Sequence, residues 1–252
     1  MVRARRYGSM AFLLLAWEAA SQSGMVPAFF LPSWVSIGQQ AWTDAASGQL
    51  PMDIVLSMYR ALTGLLLAVL VGVPLGAAMG RVKAVRWFLD PLVSIWLPAP
   101  KVTFFPLFVI WFGFSSLSKI ALVFVACLFP LINMTYLGTI NIDRYLVWSA
   151  RNMGTSERKI LWKIVLPAAL PQVFNGLQIA FPISLIVTSV TEMLGGGGGV
   201  GASMMESARF ALMPRVFVYL IVLAVVGAFS MSLMARLRRG LLQWHEEAQA
   251  GR

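Results

Sequence analysis

A lysine, Lys101, interrupts an apolar run among Pro91, Pro98, Pro100 and Pro106. Prolines at this density kink a helix and free backbone carbonyls that something must satisfy. An ionisable residue in such a run is costly in lipid and faces a cavity or a partner. Lys101 is therefore either a pore-lining cation that favours an anionic substrate, or a structural lysine that satisfies carbonyls, pairs with Glu192 or snorkels to an interface. Glu192 closes another apolar run just before Gly195 to Gly199, and is either solvated at an interface or paired inside a helix bundle. The glycine run reads as a flexible or tightly turning external loop. Asn133, Thr135 and Asn141 are weaker polar candidates, suited to hydrogen bonds between helices.

No enzymatic constellation accompanies these residues. His245, the single histidine, sits beside Glu246 and Glu247 in a polar tail, and the other acids are isolated. Zinc, nucleophilic and glycosidase chemistry lack their partners. The glycine run lacks the lysine and hydroxyl of a phosphate loop, and no G-x-x-x-x-G-K-[ST] occurs, so any ATP and magnesium must bind another chain. This chain is expected to bind no cofactor or metal and to be no enzyme itself. Cys127 lies within an apolar run, where one cysteine is a small buried hydrophobe with no intrachain disulfide partner.

What positions these residues is a membrane fold. With 59% hydrophobic and 12% charged residues, the 252-residue chain has too little polar surface to coat a soluble globule. Its net charge of +10 comes from lysines and arginines scattered between apolar segments, which argues for membrane topology and against a nucleic-acid face. Six segments approach the length of about 20 apolar residues that crosses a bilayer. They are roughly 8–26, 54–80, 91–113, 119–140, 168–193 and 214–236, in one domain spanning 1–252. The basic start followed by a short apolar core resembles a signal peptide, but the apolar stretch continues past Glu18, which favours a retained first helix.

Placing both termini in the cytoplasm leaves only Arg60, Lys101, Lys119, Arg209 and Arg215 of the twenty basic residues for the outer side or the membrane interior. Residues 32–50, with Trp34 and Trp42, form either a short interfacial helix on the outer face or an ordinary loop.

The connection 141–167 is more structured than a tether needs to be. A helix over 145–153 is followed by Gly154, which can take the left-handed conformation that ends a helix. Thr155 or Ser156 can cap the next one, and Glu157 falls in its first turn, where the dipole favours negative charge. Ile160, Leu161, Ile164 and Val165 share one face, with Arg158, Lys159 and Lys163 elsewhere. Pro167 is expected to end or kink this helix before the next span. Such a helix–glycine–helix hairpin suits a docking element.

Here a family resemblance becomes specific. The run S-A-R-N-M-G with a later I-V-L-P resembles the EAA loop of bacterial ABC-importer permeases, matching at Ser149, Ala150, Gly154, Leu166 and Pro167. The family's glutamate position is Trp148, where an indole offers apolar contact area in place of charge. Further stretches extend the resemblance over most of the chain and point to the nitrate, sulfonate and taurine permeases. These are FLPSW at 30–34, GVPLGAAMG at 72–80, LDPLVSIWLPAPK at 89–101, PLFVIWFGFSSLSKI at 106–120 and TEMLG at 191–195.

The resemblance implies an all-α inner-membrane permease of the type I importer fold, working as a homodimer with two ATPase subunits and an extracytoplasmic binding protein. Trp148, Ser149, Ala150, Arg151, Gly154, Thr155, Glu157, Leu166 and Pro167 would form the ATPase-coupling loop, and Lys101, Glu192 and Asn133 the pore candidates. It also places the acidic-Met-Leu stretch and Gly199-Val200-Gly201 near an outer gate. A sulfonate, taurine, nitrate or bicarbonate is the implied kind of substrate. The alternatives are an ion-gradient-driven secondary transporter and a membrane scaffold protein.

Overall fold

A backbone group left unpaired in lipid costs several kcal/mol, so a spanning chain this apolar folds into helices that satisfy their own backbone. The computed structural model describes residues 2–24, 26–27 and 29–241, and its elements are all helical. In order they are α1 (Val2–Gln22), α2 (Trp34–Ala46), α3 (Gln49–Arg81), α4 (Lys83–Trp96), a 3-10 turn (Lys101–Phe104) running into α5 (Phe105–Phe112), α6 (Ser116–Ile140), α7 (Arg144–Asn152), α8 (Glu157–Ile160), a π turn (Leu161–Val165) running into α9 (Leu166–Gly195), α10 (Val200–Arg209) and α11 (Met213–Leu241).

Among the described residues, four helices are long and apolar enough to cross a membrane: α3, α6, α9 with its preceding π turn, and α11. Of the six expected segments, four coincide with these helices and two differ from them. Segment 91–113 is no single helix, because α4 and α5 meet at 98° across residues 97–100, and they make a fifth span only if the bent pair is counted as one. Prolines 98 and 100 withhold amide donors there, and Lys101 Nζ donates to the freed Leu97 carbonyl at 2.5 Å. The first segment is helical as α1, but Arg5 and Arg6 at one end and Glu18 at the other leave too short an apolar run between them, so it falls outside this set.

The chain divides into two compact units, Met1–Ser57 with Glu192–Val226 and Met58–Thr191 with Gly227–Arg252. In the second unit α3 lies directly against α6. Gly64, Ala68, Gly72, Gly76 and Gly80 recur every four residues along α3, and small residues at this spacing let helix backbones approach where lipid gives no hydrophobic drive. A Cβ on Gly76 would stand 2.5 Å from the Ile132 carbonyl oxygen and 2.7 Å from Thr135 Cβ, and one on Gly64 would stand 2.6 Å from Val123 Cγ1. Gly76→Ala should therefore destabilise the protein by the ~1–3 kcal/mol typical of overpacking, read as a lower melting temperature in detergent. An unchanged melting curve would mean that the pair can separate without cost.

The core of this unit gathers Leu65, Phe105, Leu122, Val123, Leu131 and Phe181. The amphipathic α4 buries Leu89 and Val93 against Met79, Ile132 and Tyr136, with the Arg86 guanidinium 5.4 Å from the Tyr136 ring centroid.

In the first unit α2 settles the question left open for residues 32–50: it is a helix. Ser33 Oγ caps it by accepting from the Ser36 amide at 3.2 Å. Ile37 and Leu50 pack with Val200, Val218 and Tyr219, Trp34 lies 5.4 Å from Trp17, and Trp42 faces outward. Asp44 anchors α2 to α11 by accepting from Arg215 Nε at 3.0 Å.

Candidate functional site

Two places concentrate polar chemistry, and the first is the hairpin between α6 and α9, within the second unit. Asp143 starts α7 by accepting from the Tyr145 amide at 2.8 Å. Gly154, at φ +73°, ends it with paired bonds, its own N–H donating to Arg151 O at 2.9 Å and the Thr155 N–H to Ala150 O at 3.0 Å. This is a Schellman ending, in which two orphan carbonyls are satisfied because one residue adopts the left-handed conformation. Val147 and Ala150 pack inward on Ile160 and Val165, the apolar face expected from spacing. Outward, α7 presents Tyr145, Leu146 and Trp148, with Met153 beyond its end and Trp162 on the π turn.

Ser149 is also exposed. Trp148, 49% exposed, meets the Tyr145 ring edge-on at 5.5 Å. Pro167 does not end the hairpin's second helix: the Leu166 N–H donates to Leu161 O, five residues back, and the chain widens through one π turn straight into α9. Pro167 offers no N–H, and the wider π turn just before it, by shifting the hydrogen-bond ladder, lets the helix run on past the proline.

Glu157 does more than complement a helix dipole. Its Oε1 accepts from Arg151 Nε at 2.6 Å, and its Oε2 lies 3.8 Å from Arg81 Nη2 at the end of α3. The Arg151 hydrogen bond leads in holding the Glu157 carboxyl below its ordinary range, and the same bond raises the Arg151 guanidinium. A carboxylate with depressed pKa contributes its stabilisation above the unfolded value and loses it as pH falls through the folded value. Protease nicking of residues 152–158 should accordingly be flat from neutral pH down to the ordinary glutamate range and rise below it. Glu157→Gln should remove that rise.

The second place lies in the first unit, around the glycine run. Four successive residues, Gly196 to Gly199, have φ between +60° and +98°, a left-handed path that side chains resist. The path delivers the start of α10, whose first amides have no partner within their own helix. The Gly199 N–H donates to Asp53 Oδ1 at 3.0 Å, the Val200 N–H to Ser57 Oγ at 2.9 Å and the Gly201 N–H to Glu192 Oε2 at 3.0 Å. Ser57 Oγ in turn donates to Glu192 Oε2 at 2.8 Å, while Ser203 Oγ and Tyr219 Oη donate to Asp53 Oδ2 at 2.6 and 2.8 Å. Two carboxylates at the positive end of a helix also complement its dipole. The cluster is a buried latch that holds α10 to α3 and the end of α9, with Glu192 at 0% exposure.

The sequence expectations meet this geometry unevenly. Glu192 is paired in the interior, one of its two readings, while Asp53, Ser57, Ser203 and Tyr219 were not anticipated; the carboxylate-to-amide pairs span up to 146 residues and leave no local spacing to read. Lys101 satisfies a carbonyl, and Asn133 is half-buried on α6. Arg60 and Lys119, set aside as basic residues outside the cytoplasmic group, are buried at 2% and 1%, and Arg60 Nε donates to Ser116 Oγ at 3.1 Å. His245, Glu246 and Glu247 lie outside the described residues.

With both places described, comparison with known proteins is decisive. Residues 64–243 match the model of the family described as binding-protein-dependent transport system inner membrane component. The chain belongs to that family. This makes it the multi-pass inner-membrane permease subunit of an ABC importer. The permease is 31% identical over 251 residues to the taurine transport system permease protein TauC of Escherichia coli K12, covering 96% of this chain and 90% of that one. It is 33% identical over 246 residues to the putative aliphatic sulfonates transport permease protein SsuC of Bacillus subtilis 168, covering 95% and 89%. Its fold is that of a chain in the inward-facing MetNI methionine ABC transporter, with a TM-score of 0.68, 17% identity and coverage of 79% of this chain and 98% of that one.

Proposed function

We propose that this permease carries a small oxyanion, of the sulfonate and taurine kind, across the inner membrane as one half of a homodimer driven by two ATPase subunits. Delivery to its outer face falls to an extracytoplasmic binding protein, and both termini lie in the cytoplasm. Residues 1–252 act as one transmembrane permease domain. The substrate class is suggested by the taurine and aliphatic sulfonate permeases to which the chain is similar. The observation that carries the energetic reading is the hairpin: an exposed apolar α7 face, fixed by the Gly154 turn and buttressed on α3 through Glu157.

ATP and magnesium act on the partner ATPases. Their closure pushes on Trp148, Ser149 and neighbouring α7 residues, and α9 carries the displacement into the membrane because the π turn joins hairpin and span without a break. Alternating access of the path follows. Glu192 serves as the latch acid at the outer gate, Lys101 stands as the candidate cation on the path, and Asn133 as a polar neighbour. Family membership leaves an ion-gradient-driven carrier without support.

The test is co-purification from native membranes with an ATPase assay. Recovery of a stoichiometric ATPase whose coupling to uptake is lost on changing Gly154 supports the reading. A stable particle with no ATPase, under conditions that preserve membrane complexes, overturns it.

A further inference from the structure

Beside the hairpin, wholly within the second unit, the ends of α3 and α6 and the body of α7 border an open cavity of about 290 Å³. Its walls include Gly80 and Arg81, Thr139, and Val147, Trp148 and Arg151. The volume falls just short of the ~300 Å³ at which small-molecule sites begin, which suits only a small ligand. Two arginines and a tryptophan are among the residues that line it. A guanidinium presents five N–H donors in a planar fork that matches carboxylate, sulfonate or phosphate oxygens. The facing helix ends are C-terminal and repel an anion, so any anion held here is held by the arginines.

The local charge is unbalanced. Among the described residues one carboxylate, that of Glu157, serves both arginines. It bonds one donor of Arg151 and stands 3.8 Å from Arg81, leaving most of their N–H groups for other acceptors. Its side chain is 64% exposed and forms no part of the cavity wall. A glutamate so placed is a competitor that an incoming anion can displace.

We propose that this cavity binds a small organic oxyanion, its oxygens on Arg81 and Arg151 and a short apolar part against Trp148. A free sulfonate, carboxylate or phosphate ester and the phosphate of a lipid headgroup share this chemistry. Because Arg81 ends a membrane span while Trp148 and Arg151 belong to α7, an occupant ties the hairpin to that span and biases its setting. The consequence for ATP turnover rests on the coupling role proposed above; the binding does not.

The test uses the full chain in phosphatidylcholine nanodiscs, titrated calorimetrically with 1-pentanesulfonate. Wild type should bind saturably, and Arg81→Gln or Arg151→Gln should weaken binding at least tenfold. Glu157→Gln should tighten it several-fold by removing the competing carboxylate, an effect a purely structural glutamate would not give. Lys159→Gln, which removes an exposed charge outside the cavity, should leave it unchanged. Absence of binding to wild type, wild-type affinity in both arginine variants, or equal weakening by Lys159→Gln overturns the proposal. Repeating the titration with phosphatidylglycerol in the disc separates the sources: retained affinity identifies a free anion as occupant, and competition that disappears in Arg81→Gln identifies the headgroup of an anionic lipid, whose phosphate no choline neutralises. ATP hydrolysis by the assembled complex that ignores pentanesulfonate, with calorimetric binding intact, would count against the coupling role and leave the site standing.

Discussion

Gly199→Val is expected to remove uptake and most of the folded permease. Gly199 has φ +98° and ψ +166°, a region that essentially only glycine enters, so any side chain there carries strain of about 1–3 kcal/mol. A Cβ would also stand 2.5 Å from Glu192 Cδ and 2.7 Å from Oε2, pushing the carboxylate off Ser57 and the Gly201 amide. Each hydrogen bond taken from a buried carboxylate and left unreplaced costs about 1–3 kcal/mol or more. The two penalties together reach the scale of a whole domain's stability, about 5–15 kcal/mol. Gly196→Ala is the internal control: at φ +60° with open space around its Cβ, it carries only the left-handed strain of roughly 1–2 kcal/mol. Fluorescence-detected size exclusion of detergent extracts should show little monodisperse Gly199→Val and near-normal Gly196→Ala. Wild-type levels and uptake for Gly199→Val would mean that the latch is not needed for folding or transport.

Gly154→Pro should act differently, leaving the protein in the membrane while cutting ATP-driven uptake more than tenfold. Proline fixes φ near −65°, opposite in sign to the +73° that the Schellman ending requires, and it deletes the N–H that donates to Arg151 O. The end of α7 then loses its direction, and with it the placing of Trp148 and Arg151. Gly154→Ala tests whether conformation is the cause. Nothing lies within 4 Å of its added Cβ, so alanine meets only left-handed strain and should keep most uptake. Trp148→Ala removes contact area on the same face without disturbing the turn, and should weaken uptake only a few-fold. Proteoliposomes holding the permease and its ATPase subunits read all three variants at matched protein abundance. Undiminished uptake by Gly154→Pro would sink the docking role of the hairpin.

The hairpin was legible because its signals are local. Gly154 in a left-handed turn, the inward face of Ile160 and Val165, and Glu157 in a first turn depend on residues a few positions apart. Of the two readings of Pro167, an end or a kink, the end does not occur, because a π turn carries the helix past the proline and spacing alone does not show such a turn. The glycine run was recognised as a turn, but its role was not. Its amides meet Asp53 and Ser57, and no short-range pattern connects residues that far apart.

By itself, the sequence determined that the chain lives in lipid, that its regular structure is helical, and where a punctuated hairpin interrupts the spans. Apolar length, proline and glycine placement act locally and leave few alternatives in a solvent that cannot satisfy a backbone. Tertiary structure decided the rest. The close seating of α3 on α6 through Gly64, Gly76 and Gly80, the 98° break between α4 and α5, and the latch around Asp53 and Glu192 each depend on which helices meet. So does the pairing of Glu157 with Arg81, whose positions are 76 apart in the chain and adjacent only once α3 and the hairpin have packed. Contacts of this kind follow from the shapes of packed helices, and residue spacing along one strand of sequence does not encode them.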